Sequence, residues 1–208
     1  WSSLVGSEMC IRDRVNAVME GVDDEARVML SNSMIIRDAE LAFTQNVPPL
    51  RTLCNRGANG IDGIISTSLG ASFGSKENVI CLVGDVAATH DFGGILASIR
   101  MEAEMTIVIL DNGGGGIFSF LPISDAISEE QFDKYFLTSP MLPFADVLKS
   151  LRADVSTPKT IKELKAEIKK TMPKSGLSVI YYQSDTGSTL RAFRSIRDSF
   201  DQEFGQEV

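Results

Sequence analysis

Two apolar runs in this chain stop at oxygen-bearing side chains. "VICLVGD" (79–85) ends in Asp85, and "MTIVILDN" (105–112) ends in Asp111 and Asn112, with Gly113, Gly114, Gly115 and Gly116 directly after. Asp85 and Asn112 lie 27 residues apart (112 − 85), close to the span of one β–α–β crossover, about 30 residues. Two parallel strands joined in this way end on the same edge of a sheet, and open parallel sheets bind ligands beyond that edge. One carboxylate, one amide oxygen and a backbone carbonyl unobstructed by a side chain form a hard-oxygen set suited to Mg²⁺. That ion takes one or two carboxylates and completes its octahedron with phosphate and water. The pattern predicts a metal–diphosphate seat, with glycines 113 to 116 presenting backbone carbonyls and N–H groups. Helix capping competes as a role for Asp and Asn after strands. The pairing of two such ends one crossover apart favours the seat. A dinucleotide site fits less well, because Phe118 or Ser119 stands where the last glycine of GxGxxG belongs and no strand-end acid follows about 20 residues later.

Elements must hold these ends in place. Residues 79–83 read as a strand, 93–103 as a helix and 106–110 as the next strand, with a right-handed crossover. Upstream, "RVML" (27–30) is strand-like, and "SNS" (31–33) is a turn in which Ser33 or a neighbour caps a helix over 34–43. Pro48 and Pro49 punctuate the chain, and "NRGANGIDG" reads as a loop entering a small-residue helix over 63–73. Downstream, a Phe- and Pro-rich insert turns helical after Phe144. Residues 159–172 form an amphipathic helix, 177–183 a strand, and "STLRAFRSIRDSF" a last helix opened by Ser188 or Thr189. Strands alternating with helices predict an α/β fold, a parallel sheet with helices on both faces.

The bulk composition sets outer bounds. A length of 208 residues suits one domain, with part of a second. The net charge of −8, with no basic cluster, argues against a nucleic-acid surface and against anionic membranes. No apolar run approaches the ~20 residues of a membrane span. Cys10, Cys54 and Cys81 form no CxxC pair, which fits reduced thiols and a cytoplasmic protein. The opening "WSSLVGSEMCIRDR" lacks helical or strand period and the apolar core of a signal peptide, so residues 1–14 are set aside as a non-native lead-in. His90 is the one histidine. It reads as a polar neighbour of the diphosphate site or a helix cap, with no visible triad.

"GDV", one crossover, then "DN" resembles the diphosphate motif of thiamine-diphosphate enzymes, GDG followed by NN. "SNSMIIRD", "NRGANGIDGIISTSLG", "GDVAATHDFGGI" and "NGGGGIFSFLP" together resemble the 2-succinyl-5-enolpyruvyl-6-hydroxy-3-cyclohexene-1-carboxylate synthase family of menaquinone biosynthesis, from about Ala26 to Asp185. Asp111 departs from the family's usual Asn, and Val86-Ala87 from its Leu-Ser. The resemblance implies a thiamine-diphosphate-binding fold. It divides the chain into the lead-in 1–14, the tail of a middle domain and linker at 15–45, and a diphosphate-binding domain at 46–208. It implies that Asp85, Asn112 and the Gly114 carbonyl ligate Mg²⁺, that Gly84, Val86, Ala87 and Gly115 meet the cofactor's diphosphate, and that Ile61 wedges under the bent cofactor. Ile117 and Phe118 would form an apolar wall beside the reacting ring. Ser33 and Arg37 would grip the distal carboxylate of 2-oxoglutarate, and Arg56 the second substrate, isochorismate, or the shared intermediate. The implied reaction is decarboxylation of 2-oxoglutarate with transfer of the succinyl unit to isochorismate. In the family the activating glutamate belongs to an N-terminal pyrimidine-binding domain of a partner subunit, in a homodimer or homotetramer, so this chain is expected to be an inactive fragment when alone. Another thiamine-diphosphate enzyme of 2-oxoacids, such as an acetolactate synthase or a decarboxylase, and a non-catalytic α/β binding module are the competing readings.

Overall fold

The computed structural model of the chain describes residues 11–23, 25–42, 51–75, 77–172 and 175–184. Alternating elements build a parallel α/β sheet. In chain order they are α1 (Ile11–Gly21), β1 (Arg27–Leu30), α2 (Met34–Ala42), β2 (Arg51–Cys54), α3 (Ile64–Gly74), β3 (Val79–Gly84), α4 (Asp85–His90), α5 (Phe92–Arg100) and β4 (Met105–Asp111). A 3₁₀ turn (Gly116–Phe120), α6 (Ile123–Ala126), α7 (Glu129–Phe132) and a π-helical turn (Asp133–Leu137) form the insert. It leads to α8 (Phe144–Ser150), β5 (Asp154–Ser156), α9 (Ile161–Thr171) and β6 (Leu177–Gln183).

Among the described residues the sheet has six parallel strands in the order β2-β1-β3-β4-β6-β5. The central strands β3 and β4 are mostly apolar and are buried along nearly their whole length because both faces are covered. Successive side chains alternate between two cores. Val28, Leu30, Ile80, Leu82, Val108, Leu110 and Ile180 face α1, α2 and α9. Met29, Cys81, Val83, Ile107, Ile109 and Val179 face α3, α5 and α8. Each fully buried Val, Leu or Ile contributes about 1.5–3 kcal/mol of transfer free energy.

The topology places the site. β1 is followed by α2, whose Ile35, Ile36 and Ala39 pack in the first core. β3, its neighbour, is followed by α4 and α5, whose Ala87, Ala88 and Ile95 pack in the second. Two adjacent strands thus send their helices to opposite faces and leave a crevice between their carboxyl ends, the binding position of doubly wound sheets.

The structure departs from the sequence reading in several places. The helix expected over 93–103 is α5, which begins at Phe92 and ends at Arg100, and a further helix that was not expected, α4, precedes it from Asp85 itself, parted from it by Asp91 in a non-helical conformation (φ −112°, ψ 35°). Two short strands, β2 and β5, were not expected: β2 lies at a sheet edge, is largely exposed and lacks alternation, and β5 is three residues long. The helix α1 starts inside the segment set aside as lead-in, and Arg14 is buried with its guanidinium 5.8 Å from the Tyr182 ring centre. β1, on the N-terminal side of residue 45, pairs with both β2 and β3 in the same sheet. The helix expected near 188–200 lies outside the described residues.

Candidate functional site

Asp85 is the first residue of α4, set there because β3 runs straight into the helix at Gly84. Its side chain is 2% exposed, and its Oδ2 is buried with no hydrogen-bond partner. Burial, and then the neighbouring Asp111 carboxylate, hold the Asp85 carboxyl well above the ordinary carboxylate range, against the opposing pull of the Val86 N–H. An orphaned anionic oxygen beside a second carboxylate is costly in a protein interior. A divalent cation removes that cost, so the donor fits a metal.

Asn112 follows β4 directly and faces the same crevice as Asp85. Next, Gly113 and Gly114 take positive φ (81° and 133°), which only glycine adopts without strain. A Cβ on Gly114 would strike the Leu137 carbonyl, and one on Gly115 would come within 2.7 Å of the Phe136 carbonyl. Gly114 and Gly115 are therefore glycine because the π-helical turn lies against them, and a Cβ on Gly116 would strike the Asn112 side chain. Its N–H groups are engaged internally: Gly113 donates to Asp111 Oδ1 (2.8 Å), Gly115 to the Leu137 carbonyl (2.6 Å) and Gly116 to the Gly114 carbonyl (2.8 Å). The expectation that these N–H groups face a ligand is corrected for the three. The Gly114 carbonyl keeps a second lone pair.

A cavity of about 260 Å³ gathers most of the residues singled out from sequence. Gly84, Asp85, Val86, Ala87, Asn112, Gly114 and Gly115 line it at the ends of β3 and β4, Ser33 at the end of β1, and Ile61, Ile117 and Phe118 add apolar surface. Phe118 is held edge-on against Phe136, with ring centres 5.6 Å apart. His90 also lines the cavity, as does Arg14.

Arg37 and Arg56 are exposed and stand outside the lining. Arg37 Nη1 donates to the Ser33 carbonyl at 2.5 Å, so these two residues lie together, through backbone and not through the hydroxyl. Arg56 Nη1 donates to Asn32 Oδ1 at 2.8 Å. Asn32 does line the cavity.

Four structuring residues were missed. Asn32 joins two loops. Asp111 Oδ1 closes a turn onto Gly113, a role that "DNG" after a strand signals, while its Oδ2 accepts from the Tyr181 hydroxyl. Tyr181 and Asp111 line, with Asp85, a second cavity of about 590 Å³, so Asp85 borders both cavities. Asp91 accepts from the Ser66 N–H (2.7 Å) and hydroxyl (2.8 Å), tying α3 to the start of α5. No local pattern marks Tyr181 or Asp91, because their partners lie 70 and 25 residues away.

Among the described residues no three His, Cys, Asp or Glu side chains cluster into a self-sufficient metal site. Asp85, Asn112 and Gly114 line one cavity, and a carboxylate, an amide oxygen and a backbone carbonyl are donors of the type that Mg²⁺ takes together with phosphate and water.

Comparison with known proteins agrees with this geometry. The family described as "Thiamine pyrophosphate enzyme, C-terminal TPP binding domain" matches residues 39–182. The chain is 37% identical over 183 residues to the 2-succinyl-5-enolpyruvyl-6-hydroxy-3-cyclohexene-1-carboxylate synthase of Bacillus pumilus, covering 88% of this chain and 31% of that protein. It is 40% identical over 157 residues to the synthase of the same name from Listeria monocytogenes, covering 76% and 27%. Benzoylformate decarboxylase from Polynucleobacter necessarius shares the fold, with a TM-score of 0.70 at 18% identity, over 88% of this chain and 34% of that one. The chain thus spans about a third of the length of these relatives. With the family's match spanning residues 39–182, which include β3, β4 and the crevice residues Asp85, Asn112 and Gly114, the chain belongs to the thiamine pyrophosphate enzymes, as their C-terminal TPP-binding domain.

Proposed function

We propose that the chain supplies the diphosphate-binding half of a Mg²⁺- and thiamine-diphosphate-dependent transferase. In the complete protein the reaction joins the decarboxylated remainder of 2-oxoglutarate to isochorismate, the substrates that the family resemblance implies, to form the product for which the similar synthases are named. The observation that carries this reading is the single cavity lined by Asp85, Asn112 and Gly114 on one side and by Ile61, Ile117 and Phe118 on the other.

Asp85 Oδ2, the Asn112 side-chain oxygen and the Gly114 carbonyl would hold Mg²⁺, with Gly84, Val86, Ala87 and Gly115 along the diphosphate. When bound, the cofactor supplies the electron sink that decarboxylation of a 2-oxoacid requires. The chain's own residues do the rest. Ile61, stiff at Cβ, supports the cofactor from below. Ile117 and Phe118 exclude water and lower local polarity, which favours loss of charge as CO₂ departs. Ser33 and Arg37 orient the distal carboxylate of 2-oxoglutarate, and Arg56 reaches the second substrate; a guanidinium suits a carboxylate through paired N–H donors.

A cavity of about 260 Å³ is smaller than the 300–1,000 Å³ typical of ligand sites, which suits a site shared with another domain or subunit. We place the complete protein in the cytoplasm as a homodimer or homotetramer, without nucleic-acid or membrane partners. None of the described helices is long and apolar enough to cross a membrane. The 208-residue chain alone is expected to give no turnover.

The discriminating experiment supplies the full-length protein with thiamine diphosphate and Mg²⁺, then offers 2-oxoglutarate or pyruvate, each with and without isochorismate. Consumption of 2-oxoglutarate with formation of the succinylated cyclohexene supports the reading. Preference for pyruvate, or product formed without isochorismate, transfers the chain to the other 2-oxoacid enzymes. Absence of cofactor binding leaves a plain α/β module.

A further inference from the structure

Asn32 is 1% exposed, at the turn between β1 and α2, and lines the cavity. Its amide is saturated on the donor side. Nδ2 donates to the carbonyls of Asn55 (3.1 Å) and Gly60 (2.5 Å), while Oδ1 accepts from Arg56 Nη1 (2.8 Å). An asparagine has two amide protons, and both are used on the loop between β2 and α3. The amide can sit only one way round, because two carbonyls require the NH₂ end and the guanidinium requires the oxygen. The loop it grips carries Arg56 within it and Ile61 at its end. On the other side of Asn32 stands Ser33, a non-glycine residue at φ 67° whose carbonyl receives the Arg37 guanidinium. A left-handed serine persists only where its surroundings over-determine it, and the preceding residue is held by three side-chain hydrogen bonds, two donated and one accepted.

We propose that Asn32 is a positioning residue that couples the two arms of the carboxylate-recognition surface, Ser33 with Arg37 and Arg56, and fixes the loop bearing Ile61. It acts through Arg56 and the loop carbonyls and donates nothing to the substrate. Asn32→Asp keeps the acceptor toward Arg56 but turns an oxygen onto two carbonyls, so it frees the loop while sparing the guanidinium contact. Asn32→Ala loses both.

The inference rests on the proposed function, and its test separates the two. In the full-length protein, Mg²⁺-dependent uptake of thiamine diphosphate by wild type is measured first; its absence counts against the function itself. With uptake established, Asn32→Ala is expected to raise KM for isochorismate, the substrate assigned to Arg56, about tenfold, the scale of one charge-assisted hydrogen bond, with a smaller change in kcat. Arg56→Ala raises KM similarly, and the double variant is no worse than the worse single one. Amide hydrogen exchange across 55–61 is expected to quicken in Asn32→Ala and Asn32→Asp but not in Arg37→Ala. The exchange comparison needs only Asn32→Asp should the alanine variant fail to fold. Additive KM effects of the two substitutions, or unchanged exchange across 55–61 in Asn32→Asp, overturn the proposal.

Discussion

A carboxylate at the buried end of an apolar strand is unfavourable when charged, and Asp85 has Asp111 as its neighbour. Its folded-state pKa is raised above the ordinary 3.8 by burial first and by Asp111 second. The native state therefore holds the proton more tightly than the unfolded chain. The contribution to stability is full below the unfolded pKa and is lost as pH rises through the folded one. In metal-free buffer the stability of Asp85→Asn minus that of wild type should grow across this window, reaching about 1–3 kcal/mol near neutrality. Urea unfolding of both proteins from pH 4 to 8 checks it, and a difference that stays flat with pH contradicts it. The same residue scale governs Gly114. Its φ of 133° and the Leu137 carbonyl leave no room for a Cβ, so Gly114→Ala should cost about 1–3 kcal/mol and weaken Mg²⁺-dependent cofactor binding along with it. Unchanged unfolding and affinity in that variant would show that the glycine turn is not needed.

Elements carry the geometry between such residues. Asp91 interrupts the helical path after β3 and uses both carboxylate oxygens on Ser66 near the start of α3, whose own N-cap residue, Gly63, has no capping side chain. The two helices meet so closely that a Cβ on Gly94 would lie 2.8 Å from Ser66 Oγ and 2.9 Å from Asp91 Oδ1. Asp91→Ala is expected to cost about 1–2 kcal/mol, as the loss of a helix cap does, and Gly94→Ala a similar amount through overpacking. Thermal unfolding measures both, and a Tm unchanged in either variant removes this clamp from the account. These contacts also show what the sequence could not reveal. β3 and β4 were legible because long apolar runs ending in Asp and Asn have one good reading, and the helices on both faces followed from the alternation. Asp85, Asn112 and the glycines were found as neighbours because a crossover length is a local quantity. The break at Asp91 was hidden, since its cause is a serine 25 residues upstream. Likewise, β2 is a strand because it pairs with β1, although its own side chains are mostly exposed.

Across the whole molecule, the two cores differ in what they hide. Cys81 lies in β3 with no exposure, and burial pushes its thiol up to about 12, so the thiolate that reacts with alkylating reagents is scarce there. Cys54, at the end of the edge strand β2, is exposed. Iodoacetamide at pH 8 should label Cys54 in the native protein and Cys81 only after unfolding, as peptide mass mapping would reveal; native labelling of Cys81 would mean that the sheet opens. Meanwhile the sheet's opposite end is held without any ligand, by Glu77 bridging Arg27 of β1 and Arg51 of β2. Among the described residues the carboxyl end holds the buried, unpartnered Oδ2 of Asp85, which the proposed metal-bound diphosphate would satisfy. Calorimetric titration of thiamine diphosphate into the full-length protein tests this directly, with Mg²⁺ and with EDTA, for wild type and Asp85→Ala. The account predicts saturable binding by wild type only with Mg²⁺, and affinity lower by about 100-fold or more in Asp85→Ala, beyond the 10- to 100-fold typical of losing an outer-shell partner. Equal affinity in the two proteins, or binding indifferent to EDTA, would contradict it.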